Sequence, residues 1–144
     1  MNAIELLKED HQYVKKAYRA FQKMDHEDLP ALQALVKQVC AALQVHVRIE
    51  EEVFYPAVRK AIDEPDLMHE AEIEHDSAKT LIRQLGRMKA RDPRYRATFT
   101  VLCEYIEHHV KEEEGEMFPK VRRARLNLKA LGARMMARKL RLAR

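Results

Sequence analysis

The segment His46-Val-Arg-Ile-Glu50, followed by Phe54-Tyr55-Pro56, returns 63 residues later as His109-Val-Lys-Glu-Glu113, followed by Met117-Phe118-Pro119. Residues four positions apart lie on the same face of an α-helix. Each segment therefore predicts a helix that carries one imidazole and one carboxylate on a single face. Because the pattern occurs twice, we expect the two helices to occupy equivalent places in the fold.

The residues that precede these segments repeat as well, at a shift of 64 positions. Their spacing is that of an amphipathic helix with one apolar stripe. The first copy is Ile4, Leu7, His11, Val14, Tyr18 and Phe21, and the second is Met68, Ala71, His75, Ala78, Ile82 and Leu85. The chain thus contains two copies of a helix pair, with one histidine on the first helix and a His-x-x-x-Glu on the second.

Composition favours an all-α protein of one domain. The 144 residues include three glycines, five prolines and no tryptophan, which is typical of helical rather than sheet proteins. We predict helices from about residue 3 to 24, from about Pro30, from about Pro65 to residue 89, and from Pro93 to Pro119. Because the connections are short, these helices should form an up-down-up-down four-helix bundle.

Two further features are expected along the chain. Pro56 should kink or fray the second helix, since proline interrupts helical hydrogen bonding. A fifth helix is predicted over about 123–142, as an appendage to the bundle. We therefore divide the chain into a bundle over residues 1–120 and a basic amphipathic C-terminal extension over 121–144.

Charge is divided unevenly between these two parts. Residues 120–144 contain ten Lys and Arg and no acid, whereas residues 1–119 carry 17 basic and 23 acidic residues, a net charge of −6. The extension could contact nucleic acid or an anionic membrane. We favour the alternative that its apolar face covers the bundle and its arginines pair with the acidic body, or that it forms a homodimer.

Two further features of the sequence concern the location of the protein and its cysteines. No leader-like or membrane-spanning apolar run occurs, so we expect a soluble, cytoplasmic protein. Cys40 and Cys103 occupy equivalent positions of the repeat beside the apolar stripes. We interpret both as small, reduced core residues rather than a disulfide or a redox pair.

A metal site is predicted where the inward stripes of the helices carry polar residues. A single histidine on an apolar stripe is usually a hydrogen-bonded core residue, but four in register with two glutamates favour a cation. Two buried carboxylates are costly unless they are paired, protonated or coordinated. We expect His11 and His46 to hold one ion, His75 and His109 a second, and the two glutamates to bridge them. The candidate ligands are His11, His46, Glu50, His75, His109 and Glu113.

The ordered motifs resemble those of the hemerythrin-like family and its HHE cation-binding domains. The matching motifs cover residues 4–119 and are Asp10-His11, His46 to Glu51 with Phe54-Tyr55-Pro56, Glu74-His75, and His109 to Glu114 with Met117-Phe118-Pro119. The resemblance implies a non-haem di-iron centre, oxo- or hydroxo-bridged when oxidised, with the four histidines as terminal ligands and Glu50 and Glu113 as bridges. Manganese or a mixed pair fits the same ligands.

One departure bears on function. The oxygen-carrying hemerythrins have a third-helix His-x-x-x-His and a His-x-x-x-x-Asp on the last helix, where this chain has Lys79 after His75 and Glu113 and Glu114 after His109. The pattern is more similar to bacterial iron-centre-repair proteins and iron-sensing hemerythrin domains. We therefore expect binding of, or reaction with, dioxygen, hydrogen peroxide or nitric oxide under oxidative or nitrosative stress, with catalase-like or nitric-oxide-handling activity. The alternatives are iron storage, donation or sensing without turnover, and a metal-free helical adaptor.

Several other side chains are candidates for the surroundings of the site. Tyr105 could face the metals as a hydrogen-bond donor or a phenolate ligand, although packing at the core edge is favoured. Glu116 could approach the site, and Lys79 could place a cation near a bound anion, although solvent exposure is favoured for both. We interpret Glu51, Glu52, Glu112 and Glu114 as a solvated acidic rim, and we assign His26, His69 and His108 to the surface.

Overall fold

A computed structural model describes residues 1–143; Arg144, the last residue of the predicted extension, lies outside the described residues. The fold is all-α, as predicted: four long helical runs form the bundle and a fifth helix packs against it. The elements are α1 (Ala3–Lys23), α2 (Leu29–Ile49), a π-helical turn (Glu50–Phe54), α3 (Tyr55–Ala61), α4 (Pro65–Arg87), α5 (Pro93–Glu112), a second π-helical turn (Glu113–Met117), α6 (Phe118–Arg123) and α7 (Leu128–Leu142).

Polar side chains fix where the helices begin. Asn2 caps α1 in a reciprocal arrangement with Glu5, in which each side chain accepts a hydrogen bond from the backbone of the other. Asp28 caps α2 and Asn127 caps α7, each through one side-chain oxygen and without a reciprocal bond. These caps satisfy backbone N–H groups that have no partner within the helix.

The two prolines that follow the metal motifs do not end their helices. The predicted end of the fourth helix at Pro119 is wrong, because helical structure continues to Arg123. Likewise, Pro56 is followed by helix as far as Ala61. Both prolines lie in the first turn after a π-helical turn. A proline is tolerated there because its missing N–H costs no hydrogen bond of the new helix.

The core consists of two apolar clusters with a polar layer between them. One cluster contains the N-terminal end of α1, the residues around Phe54 and Phe118, and Leu131 and Met135 of α7. The other contains the second half of α1, most of α2, and the facing parts of α4 and α5. On each long run the candidate metal ligands fall between the residues of these clusters, so the fold places them in one layer across the bundle.

The C-terminal helix α7 packs on the bundle through its apolar face and two ion pairs. Lys139 Nζ lies 2.7 Å from Asp10 Oδ1, and Arg138 Nε lies 2.9 Å from Glu52 Oε2. Six other Lys and Arg residues of the described extension have no acidic partner within 4 Å among residues 1–143. They are Arg122, Arg123, Arg125, Lys129, Arg134 and Arg141, all exposed.

Two other expectations concern the cysteines and membranes. Cys103 is buried, Cys40 is half-buried and both are free thiols. Within residues 1–143, every helix falls short of the length or the apolar character that crossing a bilayer requires.

Candidate metal centre

The polar layer is formed by six buried side chains from the four long helical runs. His11 comes from α1 and His75 from α4, whereas α2 and α5 each contribute a histidine one turn before the helix gives way to a π-helical turn. Glu50 and Glu113 are the first residues of the two π-helical turns. The six residues that sequence reasoning selected therefore all lie in the core: His11, His46, Glu50, His75, His109 and Glu113.

The layer divides into two groups of three ligand atoms. One consists of His11, His46 and Glu113, and the other of His75, His109 and Glu50, with ligand atoms within 4.8 Å of one another. His11 Nε2 lies 3.2 Å from Glu113 Oε1, and His75 Nε2 lies 3.0 Å from Glu50 Oε1. Two ligands at right angles about one ion, with bonds of about 2.1 Å, lie about 3.0 Å apart. Each group thus has the dimensions of a cation site.

Both glutamates face the two groups at once. The Glu113 carboxylate directs Oε1 toward His11 at 3.2 Å and Oε2 toward His109 at 3.1 Å. Glu50 Oε1 lies 3.2 Å from His46 Nε2 and 3.0 Å from His75 Nε2. A carboxylate between two groups of imidazoles is the arrangement by which bundle proteins hold two ions side by side.

Three buried atoms in this layer have no hydrogen-bond partner within residues 1–143: His11 Nε2, Glu50 Oε2 and Glu113 Oε1. Unpaired buried polar atoms are rare because each one costs free energy. All three are nitrogen or carboxylate oxygen atoms of the two groups, and a bound cation would take them as ligands. The residues present therefore fit a binuclear metal site with nitrogen and oxygen ligands.

A ring of four carboxylates surrounds the imidazoles on their outer side. Each one meets the Nδ1 atom of a histidine on a neighbouring helix, at 2.6 to 2.9 Å. A carboxylate that accepts from Nδ1–H leaves the Nε2 lone pair directed at the centre, as a metal ligand requires. The pairs are Asp10 with His46, Glu51 with His75, Glu74 with His109, and Glu114 with His11.

This ring corrects the prediction of a solvated acidic rim for Glu51 and Glu114. Glu51 and Glu114 are half-buried and bonded to histidines, whereas Glu52 pairs with Arg48 and Arg138 at the surface. Sequence reasoning missed the role because each acid is adjacent to a ligand in sequence yet contacts a histidine of a different helix. A signal was present, since an acid precedes the histidine of α1 and α4 and follows the glutamate of both π-helical turns.

Tyr55 is a second side chain that sequence reasoning did not place at the site. Its side chain is fully buried, and Oη donates to Glu113 Oε2 at 2.6 Å. The same oxygen lies 3.3 Å from Nε2 of both His75 and His109. Burial, with the charges of Glu113 and Glu50, raises the pKa of Tyr55 well above its usual value. The hydroxyl therefore keeps its proton at neutral pH.

Charge in the layer is balanced between imidazoles and carboxylates. Burial alone would lower the pKa of His46, but the charge of Glu50 and hydrogen bonds with Asp10 and Glu50 raise it to about 10. Burial alone would raise the pKa of Glu50, but the charge of His46 and hydrogen bonds with three histidines hold it well below its usual range. The two opposite shifts have one cause, namely that the Glu50 carboxylate and the His46 imidazole stabilise each other's charged forms.

Comparison with known proteins agrees with this geometry. The family described as Hemerythrin HHE cation binding domain matches residues 2–126. The chain belongs to this family. The resemblance carried by the sequence motifs is thereby confirmed, and the two buried groups of His and Glu are consistent with a binuclear metal site in this HHE domain.

Two known proteins are similar to this HHE domain. A curated relative, the DNA nickase of Nostoc sp. (strain PCC 7120 / SAG 25.82 / UTEX 2576), is 28% identical over 122 residues, which are 85% of this chain and 34% of the relative. The chain thus spans about a third of that protein. A crystal structure of a Hemerythrin HHE cation binding domain-containing protein, the Rv2633c homolog from Mycobacterium kansasii, has a TM-score of 0.82 and 29% identity. The match covers 99% of this chain and 87% of the chain in that crystal structure.

The lesser candidates lie outside the metal layer of the HHE domain. Tyr105 is 47% exposed, and Glu116 is exposed as well. Lys79 is half-buried and its Nζ donates to Glu51 Oε1 at 2.6 Å, which ties it to the carboxylate that contacts His75. His69 and His108 are exposed, as predicted, whereas the half-buried His26 is hydrogen-bonded to a backbone carbonyl.

A cavity of about 570 Å³ reaches the metal layer of the HHE domain from one side. All four ligand histidines line it, together with apolar residues that include Val14, Leu43 and Val110. Its volume falls in the range of small-molecule sites. The cavity therefore offers an apolar route by which a small uncharged molecule can reach the centre.

Proposed function

We propose that this HHE domain holds two iron ions and binds or reacts with a small oxidant, namely dioxygen, hydrogen peroxide or nitric oxide, as part of an oxidative or nitrosative stress response. The observation that carries the proposal is the pair of buried His2Glu groups that share two carboxylates and open onto an apolar cavity. Sulfur ligands are missing from both groups, which favours iron or manganese over a structural zinc.

The protein supplies three things to such a centre. The four imidazoles and two glutamates bind the ions, and the outer carboxylates hold each imidazole in the required tautomer. The cavity admits small uncharged molecules while its apolar walls limit water. When bound, a pair of iron ions would supply one-electron redox chemistry and ligand positions that the protein leaves open.

Tyr55 places a protonated hydroxyl group in this layer, because its pKa is raised well above the usual value. Its hydroxyl donates a hydrogen bond to Glu113 Oε2, with 2.6 Å between the two oxygen atoms. The hydroxyl oxygen also lies 3.3 Å from Nε2 of two candidate ligand histidines. We infer that Tyr55 Oη keeps its proton, donates a hydrogen bond at the centre and holds the Glu113 carboxylate in place.

The proposal is tested by metal content and turnover. Protein purified without oxygen and loaded with Fe(II) is expected to retain about two irons per chain. It is expected to consume peroxide over many turnovers by dismutation, or nitric oxide over many turnovers when an electron donor is supplied in the assay. The variant with His46→Ala and His109→Ala should lose both properties, whereas His69→Ala, at an exposed histidine, should keep them. A folded protein that binds neither iron nor manganese after loading would refute the proposal.

Iron storage, donation or sensing without turnover is the alternative at the same site. The ligand set is equally suited to it, because binding requires only the six side chains. Two retained irons that react with one equivalent of peroxide or nitric oxide per pair, and then stop, would establish this alternative. Loading with Mn(II) in parallel would show which of the two metals the site retains.

A second candidate function is contact with nucleic acid. The six exposed Lys and Arg residues of the extension lack acidic partners within residues 1–143, and the similar Nostoc protein is named DNA nickase. Membrane contact is less well supported, because α7 buries Leu131 and Met135 in the core instead of presenting them to lipid. Of the described basic residues of the extension, Arg138 and Lys139 pair with acidic residues of the bundle, and these six residues do not.

Fluorescence anisotropy with a 20-base-pair duplex, at several salt concentrations, would test this second function. Replacing Arg122, Arg123 and Arg125 with Gln should weaken binding and reduce the slope of log affinity against log salt by about 3 if each contacts a phosphate. The matched control replaces the exposed Lys15, Lys16 and Arg19 of α1 with Gln, which changes the net charge equally. Equal weakening by both variants would show that net charge alone is responsible.

A further inference from the structure

The C-terminal helix α7 is connected to one ligand of the metal centre through a single carboxylate. Lys139 Nζ donates to Asp10 Oδ1 at 2.7 Å, and the other oxygen of Asp10 meets His46 Nδ1 at 2.9 Å. Helix α7 lies beyond the family match, which ends at residue 126. This contact therefore comes from a part of the chain outside the matched domain.

The same end of α7 borders the cavity that leads to the centre. Lys139, Leu142 and Ala143 line the same cavity as the four histidines. A smaller cavity of about 260 Å³ between α1 and α5 reaches only one ligand, His11. The route that serves both metal groups is therefore the one that the last turn of α7 borders.

The internal repeat shows that this cover is present on one side only. Asp10 and Glu74 are equivalent positions of the two repeats, and each accepts from the Nδ1 of a ligand histidine. Asp10 is also held by Lys139 of α7, whereas Glu74 lies 3.6 Å from the exposed His108. Helix α7 thus breaks the two-fold symmetry of the centre in two places, at the carboxylate that contacts His46 and at the cavity.

The two halves of α7 are held differently. Leu131 and Met135 are buried in the core, and Gly132 lies directly against the backbone at the start of α1. The last turns are held by the half-buried Leu142, which packs against the core, and by the ion pairs of Arg138 and Lys139, whose side chains are about one third exposed. Exposed and half-exposed ion pairs stabilise weakly and are screened by salt. The last turns are therefore the part of α7 that can open while the first half stays in place.

We propose that the docked last turn of α7 is a cover of the ligand cavity, and that it controls the exchange of metal and small molecules at the centre. Lys139 acts as the positioning residue, through its ion pair with Asp10. This inference rests on the proposed metal centre. It adds that opening of residues 138–143, rather than unfolding of the bundle, limits the rate of exchange.

The test measures removal of Fe(II) from the full-length, iron-loaded protein by 2,2′-bipyridine, a neutral chelator whose approach does not depend on protein charge. Lys139→Met keeps an unbranched side chain of similar length but removes the charge and with it the ion pair. This variant should speed iron removal by roughly three- to ten-fold. Leu142→Ala should act in the same direction without any change of charge. Lys129→Met, at an exposed lysine of the same helix without an acidic partner in the described part of the chain, should leave the rate unchanged.

Hydrogen exchange of residues 137–143 is measured on the same samples. The inference predicts faster exchange in Lys139→Met and Leu142→Ala, with unchanged protection of α2 and α5. Faster exchange of these residues with an unchanged rate of iron removal would refute the cover, and no change in either would refute the role of Lys139. A wild-type chain that retains no metal would instead refute the proposed centre, while the exchange measurement would still report on docking of α7.

Discussion

Gly132 lies where α7 crosses the start of α1, and replacing it with alanine provides a direct test of how α7 docks. A Cβ atom at this position would lie 2.7 Å from Met1 O and Asn2 C, and 2.8 Å from Ala3 N. These are backbone atoms, so they cannot turn away as a flexible side chain can. Ala3 is fully buried and Asn2 caps α1, which limits how far this end of the helix can shift.

The expected magnitude combines two opposing effects. Glycine has an ordinary helical backbone here, since residues 1–143 contain no glycine with positive φ. Alanine in a helix interior is favoured over glycine by up to about 1 kcal/mol. Overpacking by one methyl group in a tight contact costs about 1–3 kcal/mol. Gly132→Ala is therefore expected to lower the free energy of unfolding by about 1 kcal/mol net, at the middle of these ranges.

Gly86→Ala in α4 is the matched control, because a Cβ atom there meets no atom within 4 Å. The same substitution should raise the free energy of unfolding by about 0.5–1 kcal/mol, through helix propensity and the reduced entropy of the unfolded chain. Urea unfolding of both metal-free variants and the wild type, followed by circular dichroism, gives the three free energies. If Gly132→Ala is as stable as Gly86→Ala, the close contact between α7 and α1 does not exist in solution.

Three further outcomes are expected. Glu114→Gln should weaken metal affinity by about 10- to 100-fold in chelator competition, because a carboxylate partner of a ligand histidine is lost; Glu116→Gln, at an exposed position, should not. Tyr55→Phe should lower the free energy of unfolding by about 1–3 kcal/mol in urea titration, since it leaves a buried carboxylate oxygen without its donor; unchanged stability would contradict the 2.6 Å contact. Burial raises the pKa of Cys40 to about 11 and also raises that of Cys103; a thiol reagent at pH 8 should therefore label the native protein about 100-fold more slowly than the unfolded chain. A rapidly labelled thiol in the native protein would count against this burial.

The inward residues could be predicted from the sequence because their positions follow the helical period. His11 and His46 were expected to share one group, and His75 and His109 the other, and the structure places them so. That these groups hold iron remains a proposal. The expectation depended on one internal repeat, in which polar residues recur on stripes that are otherwise apolar.

The surroundings of the site could not be derived in the same way. Asp10 is adjacent to His11, yet it contacts His46 on the next helix. Such a contact depends on how far the helices are rotated about their axes, which helical period alone does not determine. The π-helical turns are equally hidden, because a hydrogen bond from residue 55 to residue 50 differs from the α-helical pattern by one residue. Tyr55 faces the centre from the first position after that turn.

The metal layer has two ways to balance its charges. In the metal-free protein the carboxylate of Glu50 is paired with imidazolium, and the pKa of His46 is raised to about 10. A bound cation would take the place of the protons on the inward nitrogens, while the outer carboxylates keep those on Nδ1. Both states give the buried carboxylates positively charged neighbours, so the bundle can fold before metal arrives. Glu50 Oε2 and Glu113 Oε1, which have no hydrogen-bond partner within residues 1–143, would gain a partner only from a cation. A folded protein purified without metal is consequently expected, and only its failure to take up metal after loading would count against the centre.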